Sequence, residues 1–297
     1  MGKVVHKKKK IPWGQIFLNL YFIIFCLCYI LPMVLMAGIS LNGESFLEFS
    51  FIPEKISFYA YEVVFKNPKQ IIDAYLVTLF YSIAGVALSL VIMSTFAYSL
   101  SRSNFKLRGP LTFMLFFTMI FGGGMVPTYM VVSGMLHLDD TIWVYILPAA
   151  MGAWNVIVIK TFFRNLPQDL FEAARLDGAT ELRICFNVAV PLSTPILATI
   201  GYTKFLEGWN DWLTSSIYIK EPSLFSLQYL LKRFMDGTSG SDLLTQGGGM
   251  MSNADLVANI EPVRYAMAIV GIGPALLIFP FIQKYYDKGI IVGSIKG

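Results

Sequence analysis

Six long apolar segments limit what this chain can fold into more than any other feature. Each has about the 20 apolar residues that a helix needs to cross the ~30 Å hydrocarbon layer of a bilayer. They lie near residues 16–39, 73–100, 111–135, 141–163, 192–217 and 264–284. With 56% hydrophobic and only 14% charged residues, the chain is also far more apolar than a soluble domain. The sequence therefore predicts an all-α integral membrane protein with six transmembrane helices.

Basic residues are concentrated in alternate segments between these predicted helices. Loops rich in Lys and Arg tend to stay in the cytoplasm. Most of the 23 basic residues fall on one predicted side, and acidic residues predominate on the other. The basic segments contain Lys3 and Lys7 to Lys10; Arg102, Lys106 and Arg108; Lys160, Arg164, Arg175 and Arg183; and Lys284, Lys288 and Lys296. Both termini are thus predicted to be cytoplasmic.

The basic N-terminal tail, residues 1–15, needs no nucleic acid to explain it. A run of lysines beside a membrane helix is attracted to anionic lipid headgroups. The net charge of the whole chain is only +4. We therefore predict membrane lipid, and not nucleic acid, as the partner of this tail.

The residue patterns that carry enzyme chemistry are missing from this sequence. It contains no G-x-x-x-x-G-K-[ST] loop for cradling ATP phosphates. Cys26 and Cys28 lie two residues apart on a predicted helix, so they point to different sides and cannot share a metal. The sequence also offers no nucleophile with a base and an orienting group. We predict no enzyme activity, metal or cofactor in this chain, so that any ATP and Mg would be bound by a separate subunit.

A charged, amphipathic loop, residues 164–191, separates the fourth and fifth apolar segments. Its main part, residues 172–191, reads EAARLDGATELRICFNVAVP. Asp177 and Gly178 indicate a turn between two short helices, because glycine tolerates the left-handed conformation that ends a helix. The predicted apolar faces are Leu166, Leu170, Ala173 and Ala174 on the first helix, and Leu182, Cys185, Phe186 and Ala189 on the second. Pro191 is predicted to start the next span, and the loop to form a platform that another protein grips.

Three motifs carry a resemblance to a known family. Glu172-Ala-Ala, a Gly six residues after the Glu, and Val190-Pro-Leu match the EAA loop of permease subunits of binding-protein-dependent ABC importers. Gly208-Trp-Asn-Asp-Trp212 and the tail from Gln283 to Gly297 resemble the carbohydrate-importing branch. The resemblance covers most of the chain. It implies a type I ABC importer permease fold, with a transmembrane domain over residues 16–284 and a cytoplasmic tail over residues 285–297.

The resemblance also implies partners and a location. The chain would be half of a pore in the cytoplasmic membrane of a bacterium. It would be a multi-pass permease that imports a carbohydrate of the oligosaccharide class. Its partners would be a second permease, two ATP-binding cassette ATPase subunits and an extracytoplasmic solute-binding protein. The residues implied in coupling to the ATPase are Glu172, Ala173, Ala174, Asp177, Gly178, Phe186 and Pro191.

Charged side chains in the fifth segment indicate a second candidate site. Lys204, Glu207 and Asp211 are three and four residues apart, so they share one helical face, with Asn210 beside them. A charge near the bilayer centre costs about 2.5–3.5 kcal/mol on insertion scales, so this face should avoid lipid. Together with Trp209, these residues are predicted to line the translocation path. The alternative is an interfacial aromatic belt with a local Lys–Glu pair.

Glycine-rich stretches mark two further features. Gly122 to Gly124 and Pro127 should weaken or kink the third helix, either as a hinge or through close helix packing. The outer loop, residues 218–263, has a polar, glycine-rich centre typical of a flexible tip. In the resembling permeases this loop faces the solute-binding protein, which implies contacts from Gly240, Gln246 and Gly248. A surface loop without a role is the alternative.

Two other functions compete with this interpretation. An ion-coupled secondary sugar transporter commonly has internal repeats and ionisable residues in several spans, and neither is evident here. An ABC permease for a solute other than a sugar would share the EAA loop, so this alternative stays open.

Overall fold

A computed structural model describes residues 13–41, 56–65, 68–236 and 262–273 of the chain. The described part is mostly helical. It divides into two compact units, one comprising Met1–Lys66 and Gly237–Ile269, the other Asn67–Asp236 and Val270–Gly297. The predicted helical class is confirmed.

The first unit contains one long apolar helix. Helix α1, Trp13–Ser40, leaves nearly all of its side chains exposed, as expected for a helix that faces lipid. A short helix, α2, Tyr59–Val64, follows after a gap in the described residues. The hydroxyls of Ser40 and Tyr61 share a hydrogen bond of 3.0 Å. The length and apolar character of α1 confirm the first predicted segment.

The second unit is built around helix α3, Pro68–Ser101, which contains no proline after its first residue. The helices that follow in the chain are α4 (Arg108–Ile120), α5 (Met125–Tyr129), α6 (Trp143–Ile146), α7 (Ala153–Arg164), α8 (Gln168–Leu176), α9 (Glu181–Ile184), α10 (Val190–Leu192), α11 (Thr194–Trp209), α12 (Leu213–Tyr218) and α13 (Leu227–Met235). A last helix, α14, covers Pro262–Gly273; its residues 262–269 belong to the first unit and 270–273 to the second. A π-helical turn extends α5 over Met130–Met135, another joins α9 to α10, and a 3-10 turn covers Pro222–Leu224.

Two groups of buried side chains flank α3 along its length. Near its C-terminal end, Tyr98 packs with residues of α4, α7 and α11 and of the charged loop. Nearer its N-terminal end, Tyr81 packs with residues of α6, the π-helical turn after α5 and the segment around α12. At about 1.5 Å per residue, the 34 residues of α3 span roughly 50 Å. One continuous helix therefore connects both cores.

The helix of the third predicted segment is broken at its glycines, as the sequence predicted. Helix α4 ends at Ile120, and α5 resumes after the glycines with a bend of 119°. Gly124 has a φ of +83°, a conformation that residues with a Cβ rarely adopt. The prediction of a break at Gly122 to Gly124 is thus confirmed.

The fourth and fifth predicted segments are not continuous helices, which corrects the sequence prediction. In the fourth, six non-helical residues separate α6 from α7, where Pro148 removes a backbone donor and disfavours helical conformation before it. The helix expected to start at Pro191 starts instead at Thr194, after a bend of 85°. Asn210 to Trp212 then separate α11 from α12.

Among the described residues, two helices, α1 and α3, are long and apolar enough to cross a membrane. The number rises to four if each bent pair, α4 with α5 and α9–α10 with α11, forms one span. The last predicted segment, residues 264–284, is described only to residue 273, where it is helical.

Candidate functional site

The charged loop folds into two short helices joined by a tight turn. At the end of α8, Gly178 N–H donates to the Arg175 carbonyl and Ala179 N–H to the Ala174 carbonyl, both at 3.0 Å. This pair of bonds is a Schellman motif, which needs a left-handed residue after the helix. Gly178 supplies it with a φ of +77°. Thr180 then caps α9 by accepting a hydrogen bond from Arg183 N–H. The predicted two-helix loop and its glycine turn are confirmed.

The loop helices bury only part of the apolar face that the sequence predicted, together with residues that it did not predict. On α8, Phe171 is fully buried, whereas Leu170 of the predicted apolar face is 44% exposed. On α9 and its continuation, Ile184, Cys185 and Ala189 are buried, while Leu182 is 64% exposed. The side chains that hold α8 and α9 to the rest of the unit are therefore only partly those predicted.

Most of the predicted coupling residues lie at the surface. Glu172, Ala173, Asp177, Gly178, Phe186 and Pro191 are exposed, and Ala174 is half-buried against the core. Exposed side chains on a short helix that is itself held to a core leave a surface that a partner can contact. The coupling role of these residues stays a prediction.

A network of polar and aromatic contacts attaches the loop to the end of α3. The Tyr98 hydroxyl donates a hydrogen bond of 2.6 Å to Glu181 Oε2, and Arg175 Nε donates one of 2.8 Å to Glu181 Oε1. The Arg102 guanidinium lies 3.9 Å from the centre of the Phe171 ring. The loop is thus bound through both of its helices.

These contacts change the acidity of the groups involved. The hydrogen bond from Arg175 holds the pKa of Glu181 below its usual range, and the bond from Tyr98 adds to the effect. Burial lowers the pKa of the Arg102 guanidinium, although arginine stays protonated in proteins. Burial also raises the pKa of the Cys185 thiol to about 11. The carboxylate is therefore charged, and the thiol neutral, near neutral pH.

A cleft of about 400 Å³ opens between the end of α3 and the loop. Tyr98, Arg102, Arg175 and Glu181 line it together with Cys185. Sequence reasoning missed Tyr98, Phe171 and Glu181 as site residues and counted Arg102 only as a charge. The sequence offered one signal for these residues, which is that Phe171 is the single aromatic residue of α8.

The predicted path residues of α11 do not all face one space. Lys204 Nζ donates a hydrogen bond of 2.8 Å to Glu207 Oε2, and both line a small cavity of about 70 Å³ with Asp211. Asn210 is exposed. Trp209 is only 2% exposed and packs against the ring of Phe205. In this structure Trp209 is therefore a core residue, which removes the expectation that its face is open to a substrate.

The polar outer loop was a further candidate site. The predicted binding-protein contacts Gly240, Gln246 and Gly248 lie outside the described residues. In the described part of the chain, no cluster of three or more His, Cys, Asp or Glu side chains could hold a metal ion.

The fold and the loop define a class of protein: a helical membrane protein that carries an amphipathic two-helix loop between apolar segments. Residues 86–292 match the family model described as the binding-protein-dependent transport system inner membrane component. The chain belongs to this family and is a transport permease, which distinguishes it from an enzyme and from an ion-coupled carrier.

Several similar proteins are named as sugar transport permeases. The chain is 37% identical to the polygalacturonan/rhamnogalacturonan transport system permease protein YtcP of Bacillus subtilis (strain 168), over 84% of this chain and 85% of YtcP. It is 28% identical to the galactooligosaccharides transport system permease protein GanQ of the same organism, over 90% of each chain. A solved structure of a bacterial ABC transporter involved in the import of the acidic polysaccharide alginate matches with a TM-score of 0.79 and 28% identity. That match covers 96% of this chain and 100% of the other.

Proposed function

We propose that this chain forms half of the translocation pore of an ATP-driven importer for an oligosaccharide. The observation that carries the proposal is the docked two-helix loop, with Gly178 at positive φ and Glu172 on its exposed face. Such a loop presents a rigid carboxylate-bearing surface that an ATPase subunit can grip. The sugar class rests on the names of the similar permeases, whose substrates are oligosaccharides and polysaccharides.

The proposed assembly has four kinds of protein component. This permease pairs with a second permease in the cytoplasmic membrane of a bacterium, and two ATPase subunits bind the loops over residues 164–191. ATP and Mg belong to those subunits. An extracytoplasmic binding protein delivers the sugar to the outer side, where residues 218–263 meet it through Gly240, Gln246 and Gly248. Lys204, Glu207, Asn210 and Asp211 are proposed to face the path.

The proposed topology has six spans within residues 16–284 and cytoplasmic tails at residues 1–15 and 285–297. Single cysteines introduced at 101–110 and at 236–250 test it with an impermeant thiol reagent. The first set should react only from the cytoplasm and the second only from outside. Reaction of both sets from the same side would exclude the six-span arrangement.

The function is tested on the purified complex in proteoliposomes, with its ATPase subunits and binding protein. Galactooligosaccharides, oligogalacturonides and alginate oligosaccharides form the panel of candidate sugars. We expect at least one of them to stimulate ATP hydrolysis and to be taken up only with ATP inside. Stimulation by an amino acid or peptide and by none of these sugars would contradict the sugar class. Uptake driven by an ion gradient without ATP would contradict the function.

A further inference from the structure

The guanidinium of Arg102 lies between two aromatic rings immediately after the end of α3. Its Cζ atom is 3.9 Å from the centre of the Phe171 ring on α8 and 4.7 Å from that of Tyr98 on α3. Its Nη1 donates to Gln168 Oε1 at 3.4 Å, which is a second contact with α8. Arg102 is only 9% exposed, although it belongs to a short loop between two helices. A buried cation that touches α8 in two places ties this helix to α3.

The second helix of the loop is tied to the same turn of α3. Tyr98, one turn before Arg102, donates its hydroxyl hydrogen to Glu181 Oε2 at 2.6 Å. The other oxygen of this carboxylate accepts from Arg175 Nε at 2.8 Å, which connects α9 back to α8. Charge-assisted bonds of this length are stronger than neutral ones. The end of α3 therefore holds both loop helices, α8 through Arg102 and α9 through Tyr98.

Two further contacts connect the N-terminal half of α3 to the end of α11 and to the start of α13. The Tyr81 hydroxyl donates to the carbonyl of Gly208 at 2.9 Å, and the Thr78 hydroxyl oxygen accepts from Leu227 N–H at 2.9 Å. No proline interrupts α3 between these contacts and Arg102. Without a proline to kink it, α3 can carry a displacement from one of its ends to the other.

We infer that Arg102 is a positioning residue for ATPase coupling: stacked on Phe171, it makes α8 and α3 move together, so that displacement of the loop reaches the path. This inference rests on the proposed function, since it assumes that an ATPase subunit moves α8. Arginine suits the role because its planar group stacks on rings and bonds at its edge, which the lysine ammonium cannot do.

One donor of the Arg102 guanidinium opposes the burial of this side chain. Arg102 Nη2 is buried and has no hydrogen-bond partner within the described residues. A buried donor without a partner destabilises the arrangement that buries it. The ring of Phe171 and the hydrogen bond to Gln168 hold Arg102 in this position against that penalty.

The test compares variants in the complete importer, reconstituted with its ATPase subunits and binding protein. Arg102→Gln removes the cation, Arg102→Lys keeps the charge without the planar group, and Phe171→Leu removes the ring but keeps apolar volume. Lys106→Gln is the matched control, since it removes a positive charge from an exposed position of the same loop. The readout is the number of sugar molecules imported per ATP hydrolysed, with the panel oligosaccharide that stimulates the wild type most.

We expect each of the three variants to lower this ratio about fivefold or more, within the usual range of coupling between distant sites. The double variant Arg102→Gln with Phe171→Leu should be no worse than either single variant, because both remove one contact. Lys106→Gln should retain the wild-type ratio. A merely structural role would reduce the amount of assembled complex and leave the ratio per complex unchanged.

A wild-type ratio in Arg102→Lys, or additive effects in the double variant, would overturn the inference. The proposed sugar class fails separately, if the wild type responds to no sugar in the panel. Amide hydrogen exchange over residues 168–176 then tests the Arg102 contact without any sugar. Faster exchange there in Arg102→Gln than in Lys106→Gln supports the contact, and equal exchange overturns it.

Discussion

Gly208 of α11 lies directly against Ser82 of α3, at the point where the two helices pack. A Cβ atom added at Gly208 would be 3.0 Å from Ser82 Oγ, closer than ordinary van der Waals contact. Next to it, Tyr81 bonds to the carbonyl of Gly208. The missing side chain at Gly208, within the motif Gly208-Trp-Asn-Asp-Trp212, therefore lets α11 pack closely against α3 without displacing Ser82.

This contact makes a prediction for a pair of substitutions. Gly208→Ala should destabilise the permease by about 1–3 kcal/mol, the usual range for overpacking a core. Adding Ser82→Ala removes the crowded oxygen and should restore much of the loss. Thermal unfolding of the detergent-solubilised protein measures both effects. Equal unfolding temperatures for Gly208→Ala and the wild type would show that the helices separate easily at this point.

Because Gly178 has a positive φ, we expect two substitutions at this position to differ in their effect on the loop. No atom lies within 4 Å of a Cβ built at Gly178, so only backbone conformation opposes a side chain there. Gly178→Val should cost roughly 1–2 kcal/mol in the loop and impair binding of the ATPase subunits. Gly178→Asn should be tolerated better, since asparagine visits the left-handed region. The measurements are the amount of ATPase subunit that co-purifies with each variant and the stimulation of ATP hydrolysis. Equal values for the two variants would contradict the prediction.

Glu172 is exposed on α8, so its removal should spare the fold and affect only the partner. We expect Glu172→Ala to insert normally yet to bind the ATPase subunits about tenfold or more weakly, because one lost charged contact at an interface commonly has an effect of this size. A pull-down titration measures it. Asp139→Asn controls for net charge, since Asp139 is exposed and distant in sequence from the loop. Undiminished binding by Glu172→Ala would exclude this residue as a coupling contact.

The hydrogen bonds of Asp140 should make the stability of the connection before α6 depend on pH. Its Oδ1 accepts hydrogen bonds from the N–H groups of Glu221, at 2.8 Å, and Lys220, at 3.0 Å, and these bonds lower its pKa. The folded-state pKa is therefore below the unfolded value of about 3.9. The stabilisation is complete above that value and is lost as the pH falls through the folded-state pKa.

Amide hydrogen exchange of Lys220 and Glu221 measures this effect, after correction for the intrinsic rate. Protection should fall at pH values below about 4. Asp140→Asn keeps a residue that tolerates the φ of +55° but cannot titrate. Its protection should not vary with pH over this range, and a matching fall in the variant would assign the effect to another group.

The buried thiol of Cys185 should resist alkylation. Cys185 is 2% exposed and its pKa is about 11, so only about one thiol in a thousand is ionised at pH 8. In a chain with Cys26→Ala and Cys28→Ala, we expect slow maleimide labelling until the protein is unfolded. Adding Ser103→Cys in the same background provides an exposed site that should label at once. Rapid labelling of Cys185 in the folded chain would show that the loop opens readily.

The sequence predicted the features that local chemistry decides. Uninterrupted apolar runs identified α1 and α3, and the run Gly122 to Gly124 identified the break before α5. The break between α6 and α7 was missed, because Pro148 and Gly152 lie within an apolar run whose composition alone suggested one span. A hydropathy average hides such residues, whereas a single proline or glycine can end a helix.

The candidate site likewise has a part that the sequence predicted and a part that it missed. Asp177-Gly178 indicated the turn of the loop, since few residues besides glycine tolerate the positive φ at a helix end. The contact between Arg102 and Phe171 could not be predicted, because the two residues are far apart in sequence and neither occurs in a recognisable motif. Trp209 was expected to face a path and is instead buried against Phe205.

By itself, the sequence determined that this protein is a helical membrane protein with a charged loop of two short helices joined at a left-handed glycine. These properties follow from apolar run length, charge distribution and backbone sterics, all of which act over a few neighbouring residues. Only the tertiary structure decided which faces of α8 and α11 are buried and that α3 holds the loop through Arg102 and Tyr98. Burial depends on the partner that packs against a face, and that partner comes from a distant part of the chain.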